Sequence, residues 1–156
     1  MKKVKDVMSK NVIYFSPEDS IFYVAKVFSK KKIAGAPVVE RGKVIGMISV
    51  TDIVKFLRTK LRIKGGRKFP SLSLLVLDII QSGKNFIDLK RNMKKMVEAK
   101  VKNVMKKKVI SIQPEASIFD AANLMEKKDV SRLPVISDGK LVGIVTRKDL
   151  LKMLID

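Results

Sequence analysis

Apolar and polar positions along this chain fall into two rhythms, and the same succession of rhythms occurs twice. A short run rich in β-branched and aromatic residues, Val12-Ile13-Tyr14-Phe15 or Val109-Ile110-Ser111-Ile112, predicts a strand, and Pro17 or Pro114 ends it. Ser20 and Ser117 then stand at N-cap positions. The helix that follows places Ile21, Val24, Ala25 and Phe28 on one stripe, matched by Ile118, Ala121, Ala122 and Met125. Lysines near its C-terminal end, Lys30 to Lys32 or Lys127 and Lys128, suit the helix dipole. A strand is predicted at Pro37 to Val39 or Pro134 to Ile136. A tight turn at Arg41-Gly42 or Asp138-Gly139 marks a hairpin. The second strand, Val44 to Ile48 or Leu141 to Val145, runs into a final helix beginning near Asp52 or Asp149.

The order is β-α-β-β-α, about fifty residues per copy. Val4 to Leu57 aligns with Val101 to Leu154 without a gap, at a constant offset of 97 residues. Pro17/Pro114, Pro37/Pro134, Gly42/Gly139, Gly46/Gly143 and Asp52/Asp149 all stay in step. One copy holds too little core to stand alone. Two copies packed face to face would bury both sheets about a pseudo-twofold axis and leave matching crevices, which favour small ligands. The expected class is therefore α/β (α+β), with repeats at residues 1–57 and 101–156 and a helical insertion at 58–100. Within the insertion, "RTKLRIKGGRKFP" reads as basic linker, and a helix is expected from Ser71 or Ser73. Phe86, Leu89, Met93, Met96 and Val97 form a second helical stripe. That apolar surface either covers the pair's own core or forms a subunit interface.

Composition removes several functions. The 156 residues contain no Cys and no His, so thiolate chemistry, the usual general base near neutral pH and the commonest metal ligands are missing. No G-x-x-x-x-G-K-[ST] or G-x-G-x-x-G loop occurs. No catalytic residue and no metal site is expected, and the chain reads as a non-enzyme. "MKKVKDVMSK" lacks the apolar core of a signal peptide, and the run around "SLLVLDII" is too short to span a bilayer. A cytoplasmic location without a membrane span is the expectation. The 34 Lys and Arg outnumber the 15 Asp and Glu for a net charge of +19, a field that attracts polyanions. It serves either a solubilising surface or a nucleic-acid-binding face. With aromatic residues at 6% and no Trp, stacking platforms for single strands are poorly supplied.

Each copy ends its second strand in the same short phrase, Ser49-x-x-Asp52 or Thr146-x-x-Asp149. The spacing is that of a capping box, hydroxyl at the N-cap and acid at the third helical position. A ligand site needs the same geometry. Helix N–H groups and a hydroxyl suit a phosphate, and a carboxylate can accept from both vicinal hydroxyls of a ribose.

The tandem pattern of "VM", "VI", the Pro and Ser before the helix, the "PV" strand and the hairpin closing in G-h-h-[ST]-x-x-D resembles the CBS domain pair, or Bateman module. The resemblance covers both repeats and leaves the middle segment out. It implies a regulatory, non-catalytic sensor of adenosine-type ligands: AMP, ADP, ATP, S-adenosylmethionine or methylthioadenosine, with no obligatory cofactor. It also implies a homodimer assembled as a flat four-domain disk, and a regulated protein that the sequence does not name. Carried over by position, Asp52 and Asp149 anchor the ribose, and Ser49 and Thr146 lie near the phosphates. Val12, Ile13, Ala36 and Pro37, and Val109, Ile110, Leu133 and Pro134, line the adenine slots.

Arg132, just before the "LP" step, takes the position of the family's phosphate contact. Arg147 and Lys148 are either phosphate contacts or solvated. Gly35, Val50 and Thr51 stand at these places in the first copy. The second copy is thus expected to hold a phosphorylated adenosine ligand, and the first to be weaker, empty or selective for a less anionic one. The alternative is a basic nucleic-acid-binding protein, with or without nucleotide as effector.

Overall fold

The computed structural model describes residues 1–60 and 98–155. The elements in chain order are α1 (Val4–Val7), α2 (Ile21–Lys31), β1 (Gly35–Glu40), β2 (Lys43–Ser49), α3 (Val50–Lys60), a 3-10 turn (Val101–Asn103), α4 (Ile118–Lys128), β3 (Arg132–Ser137), β4 (Lys140–Thr146), α5 (Arg147–Leu150) and a 3-10 turn (Leu151–Leu154). Two two-stranded sheets result, β1 with β2 and β3 with β4. The expected helices of the insertion, from Ser71 or Ser73 and around Phe86, Leu89, Met93, Met96 and Val97, lie outside the described residues. The first residues of the expected linker, Arg58 and Thr59, continue α3. No helix among the described residues is long and apolar enough to cross a membrane.

Local sequence accounts for the elements. Ser20 Oγ accepts from Tyr23 N–H (3.1 Å), and Ser117 Oγ accepts from Asp120 N–H (3.0 Å), so α2 and α4 start where hydroxyls predict. α2 buries Ile21, Val24 and Phe28. Ala25, expected on that stripe, is exposed. In α4 the buried positions are Ile118, Ala121 and Met125. Both hairpins turn through two residues of positive φ, Arg41 (51°) with Gly42 (77°) and Asp138 (50°) with Gly139 (77°), the primed turn that matches strand twist.

The first predicted strand of each copy is reduced to one bridging residue. Phe15 donates to Pro37 O (3.0 Å) and accepts from Val39 N–H (2.8 Å). Ile112 does the same with Pro134 O (3.1 Å) and Ile136 N–H (2.9 Å). Before the bridge, Ile13 O and Ile110 O would need an N–H from Pro37 and Pro134, which have none, and after it Pro17 and Pro114 bring no N–H to the ladder.

Contacts gather into two compact units, Met1–Pro17 with Gly35–Met47 and Lys106–Asp156, and Glu18–Ala34 with Ile48–Met105. These units do not follow the repeats. In the first unit, Val4 and Val7 of the first copy sit in one buried cluster with Ile112, Ile118, Ala121, Met125, Leu133, Val135 and Val145 of the second. Burying a valine side chain contributes about 1.5–3 kcal/mol. The backbone confirms the crossing: Val4 N–H donates to Ala116 O (2.9 Å), and Ser9 and Ile144 exchange N–H···O bonds (2.9 and 3.0 Å). Met47 and Lys106 exchange the corresponding pair (2.9 and 2.8 Å). In the second unit, Val101 N–H donates to Asp19 O (2.8 Å) and Ile21 N–H to Ala99 O (3.0 Å). Each copy's lead-in therefore docks on the other copy.

Gly143 makes one crossing possible. A Cβ there would collide with Met8 Sδ and stand 3.1 Å from Ser9 O. Gly143→Ala is expected to destabilise the protein by about 1–3 kcal/mol, seen as a lower urea midpoint at unchanged slope.

Ion pairs clasp the same crossings. Glu115 accepts from Lys3 and Lys5 Nζ (2.5 and 2.6 Å), and Glu18 accepts from Lys100 and Lys102 Nζ (2.5 and 2.7 Å). The hydrogen bonds from these lysines hold each carboxyl at about 2, below its usual 4.5. A carboxyl depressed in the folded state adds stability that is complete above its unfolded value and lost as pH falls towards the folded one. Melting temperature should therefore fall as pH drops from 4.5 towards 2. A Glu18→Gln/Glu115→Gln variant should show a shallower fall in a pH series of melting curves.

Candidate functional site

β4 ends at Thr146, and the chain turns there into α5. Thr146 N–H and Oγ1 both donate to Asp149 Oδ2 (2.9 Å each), and Asp149 N–H returns a bond to Thr146 Oγ1 (3.4 Å). This is a reciprocal capping box, and it occupies one carboxylate oxygen. The other, Oδ1, lies 3.1 Å from Lys152 Nζ. Lys152 also donates to Val7 O (3.3 Å), so the lead-in of the first copy reaches this point too. Asp149's side chain is 13% exposed. The same box recurs in the second unit: Ser49 N–H and Oγ donate to Asp52 Oδ2 (3.0 and 2.9 Å), and Asp52 is buried.

The cap is thus real in both copies, but the helices behind it differ. α3 runs for 11 residues, whereas α5 has four and tightens into a 3-10 turn.

Within the first unit, β3 brings Arg132 to the cap. Arg132 pairs with Thr146 in the antiparallel register, followed by Leu133 with Val145 and Pro134 with Ile144. Directly opposed residues share a face of the sheet, so Arg132 projects from the face that carries the Thr146 side chain. Arg132 is half-buried. Its guanidinium lies on the backbone of Gly35, where a Cβ would stand 2.5 Å from Cζ. Arg147 is exposed. Its N–H donates to Ser131 O (3.1 Å), and its Nη2 is 3.9 Å from Asp129 Oδ1. Lys148 is exposed as well.

The expected adenine-slot residues divide. Val109 and Ile110 are half-buried, and Ile110 packs against the core cluster. Leu133 and Pro134 are fully buried, so their side chains belong to the core. In the first copy, Val12 and Ile13 are half-buried, Ala36 and Pro37 are buried, and Thr51 is exposed.

A separate open pocket of about 340 Å³ lies between α4 and α5. Its walls are Ala122, Met125, Glu126, Asp129, Arg147 and Leu150, so it shares only Arg147 with the predicted set.

Two residues at the cap escaped the sequence reading. Lys152 was legible as an i, i+3 partner of Asp149 on one helical face. Gly35 was legible only as the counterpart of Arg132, and nothing in the pattern put the two in contact.

A duplicated α/β module with its closing phrase folded as two capped turns is what the residues define. The CBS domain profile matches residues 4–59 and 101–156, and the chain belongs to the CBS-domain family. Uncharacterized protein MJ1426 of Methanocaldococcus jannaschii is 38% identical over 97% of this chain and 90% of its own length. Uncharacterized protein MJ1232 of the same organism is 32% identical over 97% of this chain, which spans 39% of that longer protein. The CBS domain pair of protein MJ0100, solved in complex with 5′-methylthioadenosine and S-adenosyl-L-methionine, superposes with a TM-score of 0.67 at 25% identity, covering 98% of this chain and 99% of that one.

Thr146→Ala removes the hydroxyl that closes the box. It is expected to cost about 1 kcal/mol of stability, measurable by denaturant unfolding, and to leave Asp149 Oδ2 with the Thr146 N–H alone from the cap.

Proposed function

We propose that this chain is a non-catalytic regulatory module that binds an adenosine-type ligand beside Asp149 in its second repeat. The observation that carries the reading is the register that sets Arg132 opposite Thr146, whose hydroxyl orients Asp149. One strand pair thus presents a cation and an oriented carboxylate together, the two charges that a phosphorylated ribose requires. The MJ0100 pair, similar in fold and at 25% identity, holds two adenosyl compounds, which supports this class of ligand.

In this reading the cap keeps Asp149 Oδ2, and Oδ1 accepts from the ribose hydroxyls in place of Lys152. Lys152 is exposed over half its side chain and free to swing outward. Arg132 faces the phosphate. Val109 and Ile110 with the Leu133-Pro134 backbone flank the base. Asp52 and Ser49 offer the first repeat a matching ribose anchor, but Gly35, Val50 and Thr51 supply it no cation, so its preference is for a less anionic adenosyl ligand.

Homodimerisation belongs to the same reading. Phe22 and Phe119, repeat counterparts, are 63% and 55% exposed and so open to a second copy of the chain. The output is passed to a regulated protein. The nucleic-acid alternative rests on net charge, which names no site.

Titration calorimetry of the full chain with AMP, ATP and S-adenosylmethionine tests the assignment. Asp149→Ala should weaken AMP at least about tenfold, the loss of one hydrogen-bonded charge. Undiminished AMP binding by that variant overturns it.

A further inference from the structure

Positions 35 and 132 are equivalent in the two repeats, and the chain places the smallest residue at one and an arginine at the other. The structure supplies a reason for both choices. Arg132 opens β3, and its guanidinium lies against Gly35 at the start of β1. A Cβ on Gly35 would overlap Nη1 and stand 2.5 Å from Cζ and 2.8 Å from Nε. Gly35 does not have positive φ, unlike Gly42 and Gly139 at the hairpin turns. Its backbone conformation is therefore open to any residue, and what favours glycine is the close approach of the guanidinium.

We infer that Gly35 is the positioning residue for Arg132, and that the pair is built one-handed: its fixed cation serves the second-repeat cleft alone, and the chain takes one phosphorylated adenosine ligand rather than two. The inference rests on the proposed ligand class and adds its stoichiometry and charge preference. An arginine has several rotatable bonds, and ordering it on binding subtracts from affinity. Seated on bare backbone, the planar fork is ordered before the ligand arrives. The opposing register with Thr146 sets its stem beside the Asp149 cap. A Cβ at position 35 would push the guanidinium from this place, so arginines at both equivalent positions could not both take this seat.

The test compares AMP with adenosine by calorimetry on the full chain. The wild type should take one AMP per chain and prefer it to adenosine. Arg132→Ala should lower the AMP-to-adenosine affinity ratio at least tenfold, and Gly35→Ala should lower it in the same direction. The Gly35→Ala/Arg132→Ala double variant should lose no more than Arg132→Ala alone, because both act through one guanidinium.

Two AMP per wild-type chain, an unchanged ratio in Gly35→Ala, or additive losses would each overturn the inference while adenosine binding leaves the ligand class standing. Binding of neither adenosine nor AMP by the wild type defeats the ligand class, and the inference with it. If Gly35→Ala alone does not fold, the double variant should fold and melt as Arg132→Ala does, since the shortened side chain vacates the space. A double variant that stays unfolded also overturns the seat.

Discussion

The core of the second repeat is completed by residues that the chain lays down about a hundred positions earlier. Val4 and Val7, both buried, sit among Ile118, Met125, Leu133 and Val145, and hydrogen bonds from Val4 and Ser9 hold them there. Because each copy's lead-in serves the other, neither copy has a finished core of its own. The rest follows from this exchange. Gly143 must lack a side chain to admit Met8 and Ser9, Glu18 and Glu115 find their lysines across it, and Lys152 meets both Asp149 and Val7 O at its edge.

At the end of each β hairpin the chain forms a helix cap, and the proposed ligand site would draw on the same residues. Ser or Thr followed three residues later by Asp is a helix cap in both copies, with bonds of 2.9–3.4 Å. A cap uses one oxygen of the carboxylate and orients the other. The hydrogen bonds that stabilise the turn therefore also pre-order the acid that the proposed ribose contact needs. The cap and the proposed site are therefore compatible readings of the same residues.

Duplication gives the two copies one plan and frees them to differ in charge. Their backbones repeat the same caps, the same primed turns and the same reciprocal crossings. They part company at Gly35 and Arg132, which touch each other. Where equivalent positions come into contact, a small residue at one leaves room for a large residue at the other.

Much of this protein was legible in its sequence, because the readable features act over a few residues. Hydroxyl caps at Ser20 and Ser117, the turns at Arg41-Gly42 and Asp138-Gly139, and the Thr146–Asp149 box are set by bonds between neighbours. A gap-free offset of 97 residues carried them over in duplicate. What only the tertiary structure decided is long-range. The strand expected at Val12 to Phe15 shrank to one bridge because its pairing depends on β1. Leu133 and Pro134 went into the core because elements on both sides close over them. The exchange of lead-ins, the seat of Arg132 on Gly35 and the Lys152 bridge join residues up to 145 positions apart. Hydrophobic periodicity reports which face of an element is buried, but not which element covers it, and that is why these contacts had no signature along the chain.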